Sequence, residues 1–293
     1  MLFSEPPPSP YDLHFSLFGT RVRVHPLFWL VSVILGLNAG KMIYVLVWVV
    51  AVFLAILVHE FGHALVMRRF GLRPWIVLHG MGGVACYDSG QLSYSRANTW
   101  IRQILISLAG AGAGFLLALG IVVVCLASGC TFIMLAGMDT ALAVQLGIKT
   151  PTVVGIVHDN SITGFHVLLL GIPVATLGVF VNDLLSICVL WGLVNLLPVY
   201  PLDGGQISRE VFLRFSPREG IHHSLMLSIV TAGGLAAFAL MNMLRGMQAA
   251  REMGESIGSP FQSVSFYIAI FFGYMAYSSY ATLQAYGIGR PRW

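Results

Sequence analysis

The chain has 293 residues, of which 57% are hydrophobic and only 10% are charged. A soluble domain usually contains about 25% charged residues, so this composition excludes an ordinary soluble protein and predicts a polytopic membrane protein. The formal net charge of +4 does not indicate nucleic-acid binding, because the arginines are scattered at the ends of apolar runs.

The sequence of the first 70 residues indicates three segments: an N-terminal lead-in, a short apolar run and a long membrane helix. Residues 1–24 form the lead-in, and His25-Pro26 then opens an apolar run. This run is short for a membrane span, which needs roughly 20 residues. Met42 to Met67 is long and apolar enough to cross a membrane, and Arg68-Arg69 close it.

Residues 72–98 predict a β-hairpin. Two β-prone runs, Trp75–Leu78 and Gly83–Tyr87, flank a glycine-rich turn. The segment is too short and too polar to span a membrane. We therefore expect it at the membrane interface, or dipping back towards the preceding helix.

Apolar runs in the rest of the chain predict further membrane helices at about 100–127, 222–244 and 262–286. Residues 128–165 read as a mixed loop with short helices in its middle. Residues 166–199 are one broken span or two short ones. Together these elements predict an all-α polytopic membrane protein with about six transmembrane helices and a short interfacial β-hairpin.

The arginine clusters predict which segments face the cytoplasm. Residues 68–102 and 209–218 hold the densest clusters, whereas 128–165 holds only Lys149. By the positive-inside rule the first two are cytoplasmic and the last is outside. This favours a single crossing between 165 and 203, ending near Leu197.

Three ionisable residues interrupt the apolar helix at His59-Glu60-Phe61-Gly62-His63. A charged group at membrane depth costs roughly 2.5–3.5 kcal/mol, so a bound cation and a function best explain them. Positions i and i+4 share one helix face, and both histidines can bind one zinc ion. Glu60 can act as general base towards the water that zinc activates. Gly62 leaves room for a neighbouring segment.

A third metal ligand is expected at the same depth, because a catalytic zinc usually has three protein ligands and one open position. Asp203 is the best candidate, since the prolines and glycines around it end a helix and let the carboxylate turn inward. Asp183 competes by type, but it lies roughly 30 Å earlier if that stretch is helical. Asp88 in the hairpin is within reach, but no helix fixes it.

These residues carry a resemblance to a known family. The His-Glu-Phe-Gly-His helix precedes the sequence Asn195-x-x-Pro198-x-x-Pro201-x-Asp203-Gly204-Gly205 at the end of a later span. This pair of motifs resembles the site-2 protease family of intramembrane zinc metalloproteases. The hairpin and the short run at His25-Pro26 resemble its bacterial branch, and the resemblance covers about residues 20–215.

The resemblance implies one Zn²⁺ bound by His59, His63 and Asp203, with Glu60 as the catalytic residue. It also implies that Asn195 lies beside the site and contacts substrate or intermediate, although a plain interhelical hydrogen bond explains Asn195 equally well. The hairpin of this family is thought to receive an unwound substrate segment, which here involves the residues Gly82, Gly83 and Val84. Strand addition exposes a peptide bond that a helix shields.

Two features depart from the family pattern. The family often has Gly-Pro-x-x-Asn in the span after the hairpin, where this chain has Gly110-Ala111-Gly112-Ala113-Gly114. A polar group that would orient substrate is therefore missing, and we interpret the glycines as close helix packing. In addition, 128–165 is too short for a PDZ domain and the last predicted span is not followed by a CBS pair.

We therefore expect a multi-pass protein of a bacterial inner membrane that hydrolyses peptide bonds in transmembrane or membrane-proximal segments of single-pass membrane proteins. Its active site faces the cytoplasm. The expected organisation is a lead-in (1–24), a metalloprotease core (25–215) and C-terminal transmembrane helices (216–293). A homo-oligomer and a regulatory membrane partner both stay open.

Two alternatives come from other classes of function. The first is a catalytically silent pseudoprotease that binds membrane clients, and the intact Glu60 argues against it. The second is a metal transporter, whose ligands would follow a path across the membrane. Here the candidate ligands gather at one depth.

Overall fold

The computed structural model describes residues 6–37, 41–88, 90, 99–136, 154–156, 165–170, 175–252 and 264–288. The helices are α1 (Pro26–Gly36), α2 (Met42–Arg69), α3 (Trp100–Ala127), α4 (Ala175–Asn195), α5 (Asp203–Phe215), α6 (Gly220–Glu252) and α7 (Val264–Ile288). The strands are β1 (Leu13–Leu17), β2 (Thr20–Val24), β3 (Trp75–His79), β4 (Gly82–Cys86), β5 (Thr131–Ala136), β6 (Val154–Ile156) and β7 (Phe165–Leu170).

The chain folds into two compact units. One consists of Met1–Ala97 and Ala109–Leu193, and the other of Asn98–Leu108 and Val194–Trp293. The first unit contains α1, α2 and both β-sheets. The second contains α5, α6 and α7.

Four of the described helices are long and apolar enough to cross a membrane, namely Met42–Arg69, Trp100–Ala127, Thr176–Asn195 and Gly220–Gln248. The chain is therefore a multi-pass integral membrane protein, but the predicted number of about six spans is too high for the described residues. Helix α1 has 11 residues, which extend only about 16 Å. Tyrosines and serines lower the hydropathy of α7.

The predicted hairpin is confirmed, but it is not an isolated element. Strands β3 and β4 pair antiparallel, with His79 opposite Gly82 across a two-residue turn. The sheet continues in the order β1-β2-β3-β4, and β2 pairs parallel with β3. The lead-in therefore forms two strands, and the all-α fold class is corrected to a mostly helical chain with a small four-stranded sheet.

This sheet forms one core with α1 and α2. Val22, Val24, Ile76 and Leu78 are at most 1% exposed and belong to one apolar cluster with the helix residues Phe28, Val52, Ile56, Leu57, Phe61 and Ala64. The backbone N–H of His25 donates to the carbonyl of Leu78 over 2.8 Å. Arg68, in the last turn of α2, donates to the Phe18 carbonyl and the Thr20 hydroxyl. Both ends of the α1–α2 segment are thus attached to the sheet.

The predicted loop 128–165 contains strands of a second sheet, which has the order β5-β7-β6. The short helices predicted for its middle lie outside the described residues. The run 166–199 begins in β7 and continues in α4, so it contributes one membrane-spanning helix. The single crossing that the arginine distribution favours stays a prediction.

Candidate metal centre

The sequence His59-Glu60-Phe61-Gly62-His63 lies in the C-terminal part of α2, as the sequence predicts. His59 is 4% exposed, Glu60 is 4% exposed and His63 is 6% exposed. The Nε2 atoms of the two histidines are 3.2 Å apart, and the rings meet nearly edge to face. One helical turn has therefore brought two imidazole nitrogens to a common point in an apolar environment.

This separation fits two ligands of a single metal ion. Ligands of a tetrahedral zinc, each about 2.0–2.1 Å from the ion, stand about 3.3–3.4 Å apart. The candidate ligand atoms of His59, His63 and Asp203 all lie within 4.8 Å of one another. Among the residues that the structure describes, this group includes neither Asp88 nor Asp183. The predicted set of three ligands is the one that the structure brings together.

Asp203 is held by tight backbone packing around two glycines. It is the first residue of α5, where an acidic side chain is favoured by the positive end of the helix dipole. A Cβ atom on Gly204 would collide with the carbonyl oxygens of Leu196 and Leu197. A Cβ atom on Gly205 would lie 2.5 Å from the backbone nitrogen of Tyr200. Only glycine at both positions lets the first turn of α5 pack onto this backbone.

Glu60 packs against the hairpin. A Cβ atom on Gly83 of β4 would lie 2.5 Å from the Glu60 Cγ and 2.8 Å from its Oε1. The carboxylate therefore lies directly beside the β4 backbone, at a position that tolerates no side chain. This contact joins the predicted general base to the strand that is predicted to receive substrate.

At Gly110, helix α3 packs directly onto His59 and His63, the predicted metal ligands. A Cβ atom there would lie 2.6 Å from the Nε2 atom of His59 and 2.5 Å from the Cε1 atom of His63. From the other side, a Cβ atom on Gly62 would collide with the Ala109 carbonyl oxygen and lie 2.7 Å from the Ala113 Cβ. The expectation that Gly62 leaves room for a neighbouring segment is confirmed.

Gly110 is the site residue whose role the sequence does not reveal. The alternating glycines and alanines predict close helix packing, but they do not show that Gly110 packs on the predicted metal ligands. By contrast, a Cβ atom on Gly112 would have nothing within 4 Å. The glycines of this run are therefore not equivalent.

The predicted substrate-binding residues occupy two places. Asn195 is the last residue of α4 and is 7% exposed. Gly82 begins β4 with a φ of 121°, and a Cβ atom there would lie 3.1 Å from the Trp191 ring. Val84 is half-buried and lies opposite Val77. Their contacts with substrate stay predictions.

The profile of Peptidase family M50 matches residues 47–236, which is more than half of the chain. The chain belongs to peptidase family M50. This confirms the resemblance to the site-2 protease family. In structure, the M50 chain is also similar to a site-2 protease from Methanocaldococcus jannaschii, at 19% sequence identity and a TM-score of 0.49, over 92% of this chain and 95% of that chain. No curated protein sequence matches the chain.

Family membership and the ligand group together define the class of enzyme. M50 members are zinc metallopeptidases, and this chain retains the His-His-Asp group at their metal site. It is therefore an M50 metallopeptidase with membrane-spanning helices.

Proposed function

We propose that this M50 metallopeptidase is an intramembrane zinc endopeptidase that cleaves transmembrane or membrane-proximal segments of single-pass membrane proteins. The observation that supports this most directly is the 3.2 Å separation of the His59 and His63 Nε2 atoms. One candidate ligand atom from each of His59, His63 and Asp203 lies within 4.8 Å of the other two. The histidines stand on a helix long and apolar enough to cross a membrane.

We assign the zinc ligands as His59, His63 and Asp203, and Glu60 as the catalytic residue. Bound zinc would supply Lewis-acid polarisation of the scissile carbonyl and would make water acidic enough to attack near neutral pH. Glu60 accepts the proton of the attacking water and delivers it to the leaving amine. Burial of Glu60 at 4% exposure keeps bulk water from competing for this proton.

We assign the β4 edge as the place where substrate binds. In the described part of the chain β4 pairs only with β3, so its other edge is able to accept an extended segment by strand addition. Backbone groups of Gly82, Gly83 and Val84 would pair with the substrate. The packing of Glu60 on Gly83 would then place a substrate peptide bond near the general base. Asn195 would contact the substrate or the tetrahedral intermediate.

The cellular setting follows from the arginine distribution. We propose that the active site faces the cytoplasm of a bacterial inner membrane, because Arg68 and Arg69 end the helix of the metal ligands. We also propose that residues 25–215 form the catalytic core and 216–293 the C-terminal helices, after a lead-in at 1–24. Single-pass membrane proteins would be the substrates.

The function is tested by replacing Glu60 with glutamine. Wild-type and Glu60→Gln chains are purified in detergent, their zinc content is measured, and each is incubated with a panel of labelled single-pass transmembrane peptides. We expect zinc in both proteins and cleavage only by the wild type, with a loss of roughly 10²–10⁴-fold or more. Glu210→Gln on α5 is the matched control and should cleave like the wild type.

Two outcomes would contradict the proposal. Equal cleavage by wild type and Glu60→Gln would remove Glu60 from the chemistry. Peptide capture without cleavage by a zinc-loaded wild type would favour the alternative, a catalytically silent protein that binds membrane clients.

A further inference from the structure

Three hydrogen bonds link the backbone of Tyr200 to the side chains of Ser228 and Ser279. The Tyr200 N–H donates to the Ser228 hydroxyl over 2.8 Å, and the Ser279 hydroxyl donates to the Tyr200 carbonyl over 3.2 Å. The two hydroxyl oxygens are 2.7 Å apart. Both serine side chains are fully buried, at 0% exposure, so water does not substitute for these bonds.

The proton count fixes the direction of the third bond. A serine hydroxyl has one proton and can donate once. Ser279 uses its proton on the Tyr200 carbonyl, so Ser228 must donate to Ser279. Each hydroxyl then donates once and accepts once. The result is a closed ring that satisfies both polar groups of one peptide residue.

Tyr200 is coupled mechanically to the ligand Asp203. The backbone nitrogen of Tyr200 is the atom on which Gly205 packs, at 2.5 Å from a Cβ position. The same turn is tied by the Leu202 N–H, which donates to the Val199 carbonyl over 2.8 Å. A shift of Tyr200 therefore moves the first turn of α5, which begins with Asp203.

We propose that Ser228 and Ser279 are positioning residues of the metal centre. Their hydroxyls fix the Tyr200 backbone and thereby set the position of the Asp203 carboxylate. Ser279 lies on α7, beyond the residues 47–236 that match the family profile. The C-terminal helix of this chain thus contributes to the metal centre without supplying a ligand. The inference rests on the proposed role of Asp203 as a zinc ligand.

The test compares five variants of the chain purified in detergent, namely four single substitutions and the double variant Ser228→Ala/Ser279→Ala. Ser279→Ala and Ser228→Ala each open the ring. Ser278→Ala on α7 and Ser224→Ala on α6 are matched controls, since Ser278 is the adjacent residue and Ser224 is also buried, at 4% exposure. Zinc affinity is measured by chelator competition, and the absorption spectrum of the Co²⁺-loaded protein reports the ligand geometry.

We expect each ring variant to bind zinc about 10–100-fold more weakly, as is usual when a group that orients a metal ligand is removed. The Co²⁺ spectrum should change in both ring variants and in neither control. Because both serines act through one ring, the double variant should lose little more than either single variant. A purely structural role would lower thermal stability and leave the Co²⁺ spectrum unchanged.

Two results would overturn the inference, and they are distinguishable. If the wild type binds zinc and both ring variants bind it with the same affinity and spectrum, the inference alone is wrong. If the wild type binds no zinc, the proposed function fails and the inference falls with it. Should Ser279→Ala not fold, Ser228→Ala decides, because it opens the same ring from the other helix.

Discussion

Substitution of Gly110 by alanine should damage the metal centre although Gly110 is not a ligand. The added Cβ would lie 2.6 Å from the Nε2 atom of His59, and ordinary van der Waals contact begins at 3.4 Å. The Nε2 atom of His63 would be closer still, so an imidazole or the α3 backbone must move by more than about 0.8 Å, whereas metal–ligand distances tolerate about 0.2 Å. Overpacking of this kind costs about 1–3 kcal/mol, which corresponds to a loss of zinc affinity of about 5–150-fold.

The matched control is Gly112→Ala, two residues further along the same helix. Alanine is favoured over glycine in a helix by about 0.5–1 kcal/mol, and this gain applies to both variants. At Gly112 the added Cβ has nothing within 4 Å, so zinc affinity should stay at the wild-type value. Chelator competition and metal analysis of both purified proteins give the comparison. Equal zinc affinity of Gly110→Ala and Gly112→Ala would refute the argument that α3 sets the imidazole positions.

Two further predictions concern the hairpin. The Gly83→Ala variant should retain zinc but cleave transmembrane peptides on the order of 10²-fold more slowly, because the added Cβ displaces the flexible Glu60 carboxylate. Loss of zinc from this variant would contradict this reasoning. Burial, followed by the nearby charges of His25 and Arg23, lowers the pKa of His79 below its ordinary value of 6.5. Below about pH 6.5, His79 therefore binds a proton more readily in the unfolded chain than in the folded chain. The free energy of unfolding should then fall as the pH drops below about 6.5. Thermal unfolding from about pH 8 to 5 should show a smaller decline for His79→Gln, and an unchanged decline would exclude His79 as its source.

The sequence predicts the metal centre well because the rules that define it are local. A four-residue interval places His59 and His63 on one helix face whatever surrounds the helix. The prolines before Asp203 and the glycines after it predict a helix end at the depth where a third ligand is needed. The apolar runs and the arginine distribution supply the depth. None of these inferences depends on knowing which segments pack together.

The features that the sequence does not reveal depend on distant partners. The alternation of apolar residues in the lead-in is visible, but the partner of β2 is β3, about 50 residues away and in parallel orientation. Similarly, Gly110 reads as a packing glycine, and only the structure shows that it packs on imidazoles. The sequence predicts about six spans, whereas four of the described helices are long and apolar enough to cross a membrane, because tyrosines and serines lower the hydropathy of α7.

The parallel pairing of β2 with β3 has a consequence for the order in which the enzyme matures during synthesis. Residues Thr20–Val24 leave the ribosome first, but their partners Trp75–Leu78 follow only after the whole of α1 and α2. Such a non-local pairing is slow, because the intervening chain must be closed into a loop first. Glu60 is made well before Gly83, the residue against which it packs. A nascent chain therefore contains the His-Glu-Phe-Gly-His motif before it contains the strand beside it, and the predicted ligand Asp203 follows later still.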